Sequence, residues 1–175
     1  MSNNTLNNEI EQTLSNIIDK PFRYIGRSGN LAWLGFGKDV SWISYNGEKK
    51  ITAQYSLHIQ CSFRIICNGK KKIGSGDMYE PNSTTTWSEK FDWNELGANL
   101  YDENALLITQ GLSYNNTIVT NVKSNEAGDI QIYLSNDCII EVFTNSSSNS
   151  QLEEWRFFET GAKTEHFVIT GSGIE

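Results

Sequence analysis

Residues 55–67 read Y-S-L-H-I-Q-C-S-F-R-I-I-C, and their reading decides the fold. With Ile51 and Ala53 placed in front, apolar side chains fall on Ile51, Ala53, Tyr55, Leu57, Ile59, Cys61, Phe63, Ile65 and Cys67, an unbroken period of two. A strand throws successive side chains to opposite faces, so this series lays one apolar row against a core. The spacing predicts one long strand, or two strands joined by a bend. On the opposite face it places His58, Gln60, Ser62 and Arg64, each about 6.6 Å from the next.

Turn signals surround this stretch. Arg27-Ser28-Gly29-Asn30 separates two strand-like runs, 22–26 and 31–37, and Asn-Gly pairs stand at 46–47 and 68–69. Asn-Gly supplies the two positive φ angles that a two-residue hairpin turn requires. The last third carries five further strand-like runs at near ten-residue spacing, beginning near 117, 129, 138, 154 and 166. Such spacing predicts an antiparallel meander. Ahead of the strands, Leu6, Ile10, Leu14, Ile17 and Ile18 follow a three-and-four spacing, which predicts an amphipathic helix over residues 4–19 that Pro21 ends. The expected fold is mainly β with some helix (α+β): a curved antiparallel sheet or sandwich, with the N-terminal helix packed on it.

One domain is expected over residues 1–175, since 175 residues suffice for a single core. Within it, 1–20 is helical, 22–73 holds strands and hairpins, 74–100 is a long loop, and 101–175 returns to antiparallel strands, with a short helix or turn at 102–110. The 74–100 stretch is rich in Gly, Ser, Thr and Asn. Loops this long usually do something. Trp87, Phe91 and Trp93 are expected to pin it to the body.

The bulk numbers narrow the partners. The formal net charge is −7, from 21 acids and 14 bases. An acidic surface repels phosphate backbones and anionic headgroups, so neither nucleic acid nor membrane is expected, and a basic protein or a small cation is the better partner. Lys70, Lys71 and Lys72 read as an edge safeguard against strand pairing rather than as a nucleic-acid patch. The first twenty residues show no basic start with an apolar run, which points to a cytoplasmic protein. The three cysteines, Cys61, Cys67 and Cys138, read as buried reduced thiols, because the count is odd and no C-x-x-C pair occurs. No metal site and no cofactor are expected, since H-x-H, H-E-x-x-H and a lysine-bearing phosphate loop are all missing.

Candidate binding residues are His58, Gln60 and Arg64 on the polar row, Asp77 on the long loop, Trp155 and Arg156 in E-E-W-R-F-F-E (153–159), and His166. An imidazole, an amide and a guanidinium in a row suit an anionic or hydrogen-bonding ligand. A solvated sheet face explains the same residues. The acid pairs Asp77 with Glu80, Asp92 with Glu95, and Glu153 with Glu154 read as solvated surface charge. The Gly-Ser-Gly triplets at 74–76 and 171–173 read as turns, not as nucleophile elbows.

The runs Y-S-L-H-I-Q-C-S-F-R-I, G-S-G-D-M-Y-E-P, F-D-W, E-V-F, E-E-W-R-F-F-E and H-F-V-I occur in that order. Together they resemble a family of small, mostly uncharacterised bacterial proteins, over roughly residues 50–170. The resemblance implies a bacterial cytoplasmic protein and assigns no activity to any residue. Two functions stay open. One is a protein-binding module, for which an immunity or defence-associated role in a bacterium is a fitting setting. The other is a small enzyme or ligand-binding protein with a polar pocket around His58, Arg64 and His166.

Overall fold

The apolar series of 51–67 is interrupted at one point, and that interruption organises the molecule. A computed structural model describes residues 5–85, 87, 90–114 and 116–175. In it Lys49–Ile59 form strand β3 and Ser62–Cys67 form strand β4, in different sheets. Gln60 and Cys61 make the bend. Both of their backbone N–H groups donate to the Glu154 carbonyl, at 2.8 and 3.2 Å, so the bend leaves no orphaned donor.

The other strands are β1 (Phe22–Ser28), β2 (Leu31–Ile43), β5 (Lys70–Gly74), β6 (Val119–Ser124), β7 (Ile130–Leu134), β8 (Cys138–Phe143), β9 (Glu153–Glu159), β10 (Phe167–Thr170) and β11 (Gly173–Ile174). Every pairing is antiparallel. One sheet runs β1-β2-β3-β9-β10-β11 and the other β5-β4-β8-β7-β6. The chain passes from the first sheet to the second at Gln60–Cys61 and returns between β8 and β9. The strands of the last third are therefore shared between the two sheets rather than forming one meander. Chain reversals occur at both expected Asn-Gly pairs, but the one at Asn46-Gly47 is a five-residue loop in which only Gly47 has positive φ. At Asn68-Gly69 both residues have positive φ, 51° and 73°.

The sheets share one apolar core with two helices. Leu57 and Ile59 from β3, Phe63 and Ile65 from β4, Ile140 and Val142 from β8, and Trp155 from β9 are all buried in it. Ile51 is 71 % exposed, so the inward row does not reach the start of the predicted series. There the sheet has narrowed to two strands and offers no core. Helix α1 spans Leu6–Leu14, and a tighter turn carries it to Ile17. Ile10, Leu14 and Ile17 are fully buried, while residue 4, where the helix was expected to begin, lies outside the described residues. Helix α2 runs Leu100–Tyr114, longer than the 102–110 expected. Its start is fixed by Asn99, whose side-chain oxygen accepts the Asp102 N–H at 2.9 Å while its amide donates to the Trp93 carbonyl.

A buried ion pair joins α2 to β1. Arg27 grips Asp102 with two hydrogen bonds of 2.8 and 2.7 Å and donates also to the Gly29 and Glu95 carbonyls. Its side chain is 1 % exposed. The 74–100 loop is closed at its base by a bridge between Pro81 and Asn99. Trp93 leans on Tyr79, with ring centres 5.2 Å apart. Trp87 is 69 % exposed and touches Phe91 at 5.5 Å, so it does not anchor the loop as expected. Residues 86, 88 and 89 of that stretch lie outside the described residues.

Two expectations about side chains are corrected. Cys67 and Cys138 are not free thiols. They are direct partners across β4 and β8, with Cα atoms 4.0 Å apart, and they form a disulfide. The odd cysteine count hid this pair, because only strand register brings residues 71 apart into contact. Cys61 is free and buried as expected, and burial pushes its thiol well up from its ordinary pKa. Glu154 is not a solvated acid. It is 2 % exposed and accepts the Asn145 and Ser146 N–H groups, at 3.1 and 2.5 Å, which fixes the crossover between the sheets.

Candidate functional site

The bend at Gln60–Cys61 divides the sequence candidates into two groups. His58 lies on β3 in the first sheet and Arg64 on β4 in the second, so the polar row does not continue across one surface. Arg64 is committed to Glu141, its cross-strand partner, at 2.6 Å, and its guanidinium lies over the Phe143 ring. Asp77 closes the turn at Ser75–Tyr79 by accepting the Gly74 N–H at 3.1 Å, and it also accepts from Asn104 at 3.2 Å. Trp155 is fully buried, with its indole N–H donating to the Gly128 carbonyl at 2.9 Å. It is a core residue and cannot anchor a partner.

The remaining candidates meet on the outer face of the first sheet. His58 faces Arg156 across the β3–β9 pair and Trp33 across the β2–β3 pair. Phe158 packs its ring edge to face with His58, centres 4.9 Å apart, and stacks flat on His166 at 4.1 Å. Arg156 is held by a fork from Glu153, one arm of which measures 2.6 Å. Its third nitrogen lies 3.4 Å from His166 Nδ1. A guanidinium has no acceptor, so Nδ1 accepts and the proton of a neutral His166 sits on Nε2. Gln60 sits at the rim of this group, in reach of Glu153.

Burial and electrostatics both favour the neutral form of the two rings. Burial first, and the Arg156 cation second, lower the His58 pKa, and the same two causes lower that of His166. The Arg156 hydrogen bond holds the Glu153 carboxyl below its ordinary range. Every charge in the cluster is spoken for, and His58 is capped by Phe158. A hydrolytic or acid–base centre needs a group aimed at an open cleft. Here the rings lie along a sheet face and line none of the clefts described below.

The feature that sequence reasoning missed lies at the far end of the same sheet. β1 pairs with β2 only as far as Phe36, and β9 pairs with β3 only from Tyr55 onward. Beyond those points the only strand partner of Asp39–Ile43 is Lys49–Ala53, after a bulge at Gly37–Lys38, while Tyr24, Thr160 and Arg23 still tie Thr52, Ala53 and Asp39 to the body. The result is a two-stranded arm roughly 15 Å long at the usual rise per residue. Ile43 and Ile51 occupy one face at 66 % and 71 % exposure, and Val40 and Trp42 the other. Tyr45 at the tip is fully exposed. The sequence did carry a signal, in Trp42, Ile43 and Tyr45 beside an Asn-Gly turn, but alternation does not say which apolar residues lack a core to face.

Compared with protein-family models, curated proteins and solved structures, the chain finds no match.

Proposed function

We propose that this is a protein-binding module that docks through its β2–β3 arm. The arm is the observation that carries the reading. Isolated two-stranded ribbons are marginal in water, and exposed clustered apolar side chains on one mark a surface that a partner covers. Trp and Tyr are also the residues that most often dominate binding energy. Lys38, Lys49 and Lys50 lie along the arm and discourage indiscriminate strand pairing.

The partner favoured is a basic protein, steered by the −7 charge of the chain. A bacterial immunity or defence-associated role is the setting that suits a small acidic binding protein, and the family resemblance in 50–170 agrees with a bacterial origin. The cytoplasmic placement expected from the sequence sits poorly with the Cys67–Cys138 disulfide, because cytosolic reductants keep such pairs open. Nothing in the described residues favours the enzyme reading, since His58, Arg64 and His166 share no pocket.

The test is co-purification from the host at moderate salt with an Ile43→Asp/Ile51→Asp variant beside the unaltered protein. The reading expects a partner with the unaltered chain, its loss with the variant, and unchanged melting temperatures. A partner retained by the variant, or found by neither protein, overturns it.

A further inference from the structure

Between α2 and the β4–β5 edge lies an open cleft of about 640 Å³. Small-molecule sites commonly measure roughly 300–1,000 Å³. Its apolar lining comes from Leu107, Ile108 and Leu112 of α2 and from the Cys67–Cys138 disulfide. Leu107 is 60 % exposed, so the fold leaves this wall unfilled.

The rim is cationic by construction. Ile65 faces Ile73 and Ile66 faces Lys71, so Lys72 is an extra residue in β5. Such a bulge re-aims side chains. Lys71 and Lys72, which a regular strand would send to opposite faces, both line this cleft. Among the described residues neither lysine has an ion-pair partner. A smaller cleft of about 360 Å³ continues past the same two lysines towards Arg64 and Asp77. Both of those groups are engaged, Arg64 with Glu141 and Asp77 with Gly74 and Asn104. Asn136, also at the wall, carries a buried side-chain oxygen without a hydrogen-bond partner.

The geometry points to a binding site for a small amphipathic anion: a carboxylate head held between Lys71 and Lys72, with an unbranched apolar tail lying along Leu107, Ile108 and Leu112. Two unpaired ammonium groups at one rim select negative charge. Exposed lysines alone contribute little in water, so the tail supplies most of the affinity. This site is independent of the arm.

The full chain is titrated with sodium decanoate and followed by amide NMR shifts, with sodium acetate and decyltrimethylammonium in parallel. Decanoate is expected to give saturable shifts centred on Lys71, Leu107 and Gly111, acetate none, and decyltrimethylammonium the same shifts only at about tenfold higher concentration. Lys71→Glu/Lys72→Glu weakens decanoate about tenfold, the scale of one well-placed contact, at unchanged melting temperature. Leu107→Asp does the same, while the Ile43→Asp/Ile51→Asp variant binds normally. Absence of saturation, shifts centred elsewhere, equal binding of the cationic amphiphile, or indifference to the lysine reversal overturns the proposal.

Discussion

His58 and Arg156 stand directly opposite one another across the β3–β9 pair, a base beside a fixed cation on a sheet face. The guanidinium stays charged and is balanced by Glu153. Burial first, and this cation second, lower the His58 pKa, so the folded protein releases the imidazole proton at pH values where the unfolded chain still holds it.

The consequence is a pH dependence of stability with a definite sign. His58 and His166 have folded pKa values below their ordinary value of 6.5, from burial first and Arg156 second. The unfolded chain thus binds more protons below about pH 6.5, and stability falls as pH falls through that window. Glu153, also depressed, adds a further loss at lower pH, below its ordinary 4.5. Thermal unfolding at pH 7.5 and 5.5 should show a drop that His58→Gln reduces. An equal drop in the variant would mean that other groups titrate there.

Breaking the Arg27–Asp102 pair should cost far more than breaking a surface pair. Removing one partner leaves an uncompensated buried charge, which costs about 3–5 kcal/mol. Urea unfolding of Arg27→Met is the measurement. Asn99→Ala, which removes the helix cap, should cost about 1 kcal/mol. A loss under 1 kcal/mol for Arg27→Met would show that the pair is solvated.

The disulfide predicts a thiol count. Under denaturant without reductant the protein should show one reactive thiol, Cys61, and with reductant three. Closing a 71-residue separation limits the unfolded chain by about 4 kcal/mol in the loop-entropy picture. Reduced protein should unfold at lower urea by up to that amount. Three thiols in protein purified without reductant would show that the pair is open in the native compartment.

Much of the architecture is written in local pattern. Period-two alternation located β3 and β4, Asn68-Gly69 located their turn into β5, and Leu6 to Ile17 located α1. What failed were properties of pairing between distant segments. Whether Ile51 meets a core depends on where β1 and β9 stop, and whether Cys67 meets Cys138 depends on β4–β8 register. Likewise, Glu154 reads as a surface acid until the crossover loop folds back over it. The candidate cluster was half legible: alternation put His58 and Gln60 on one face, but only the β3–β9 register adds Arg156 and Phe158, and only the β9–β10 pairing brings His166. Arg64 was lost from it because the bend at Gln60–Cys61 moves it to the second sheet.

The central claim, that the β2–β3 arm is the docking surface, is tested most directly by site-specific photo-crosslinking in the native host. A photoreactive residue is placed at Tyr45 or Ile43, with the exposed Gln110 on α2 as control. The account predicts one discrete adduct with a basic protein from both arm positions and none from Gln110. No adduct from the arm, the same adduct from Gln110, or an adduct whose mass is that of two copies of this chain would contradict it.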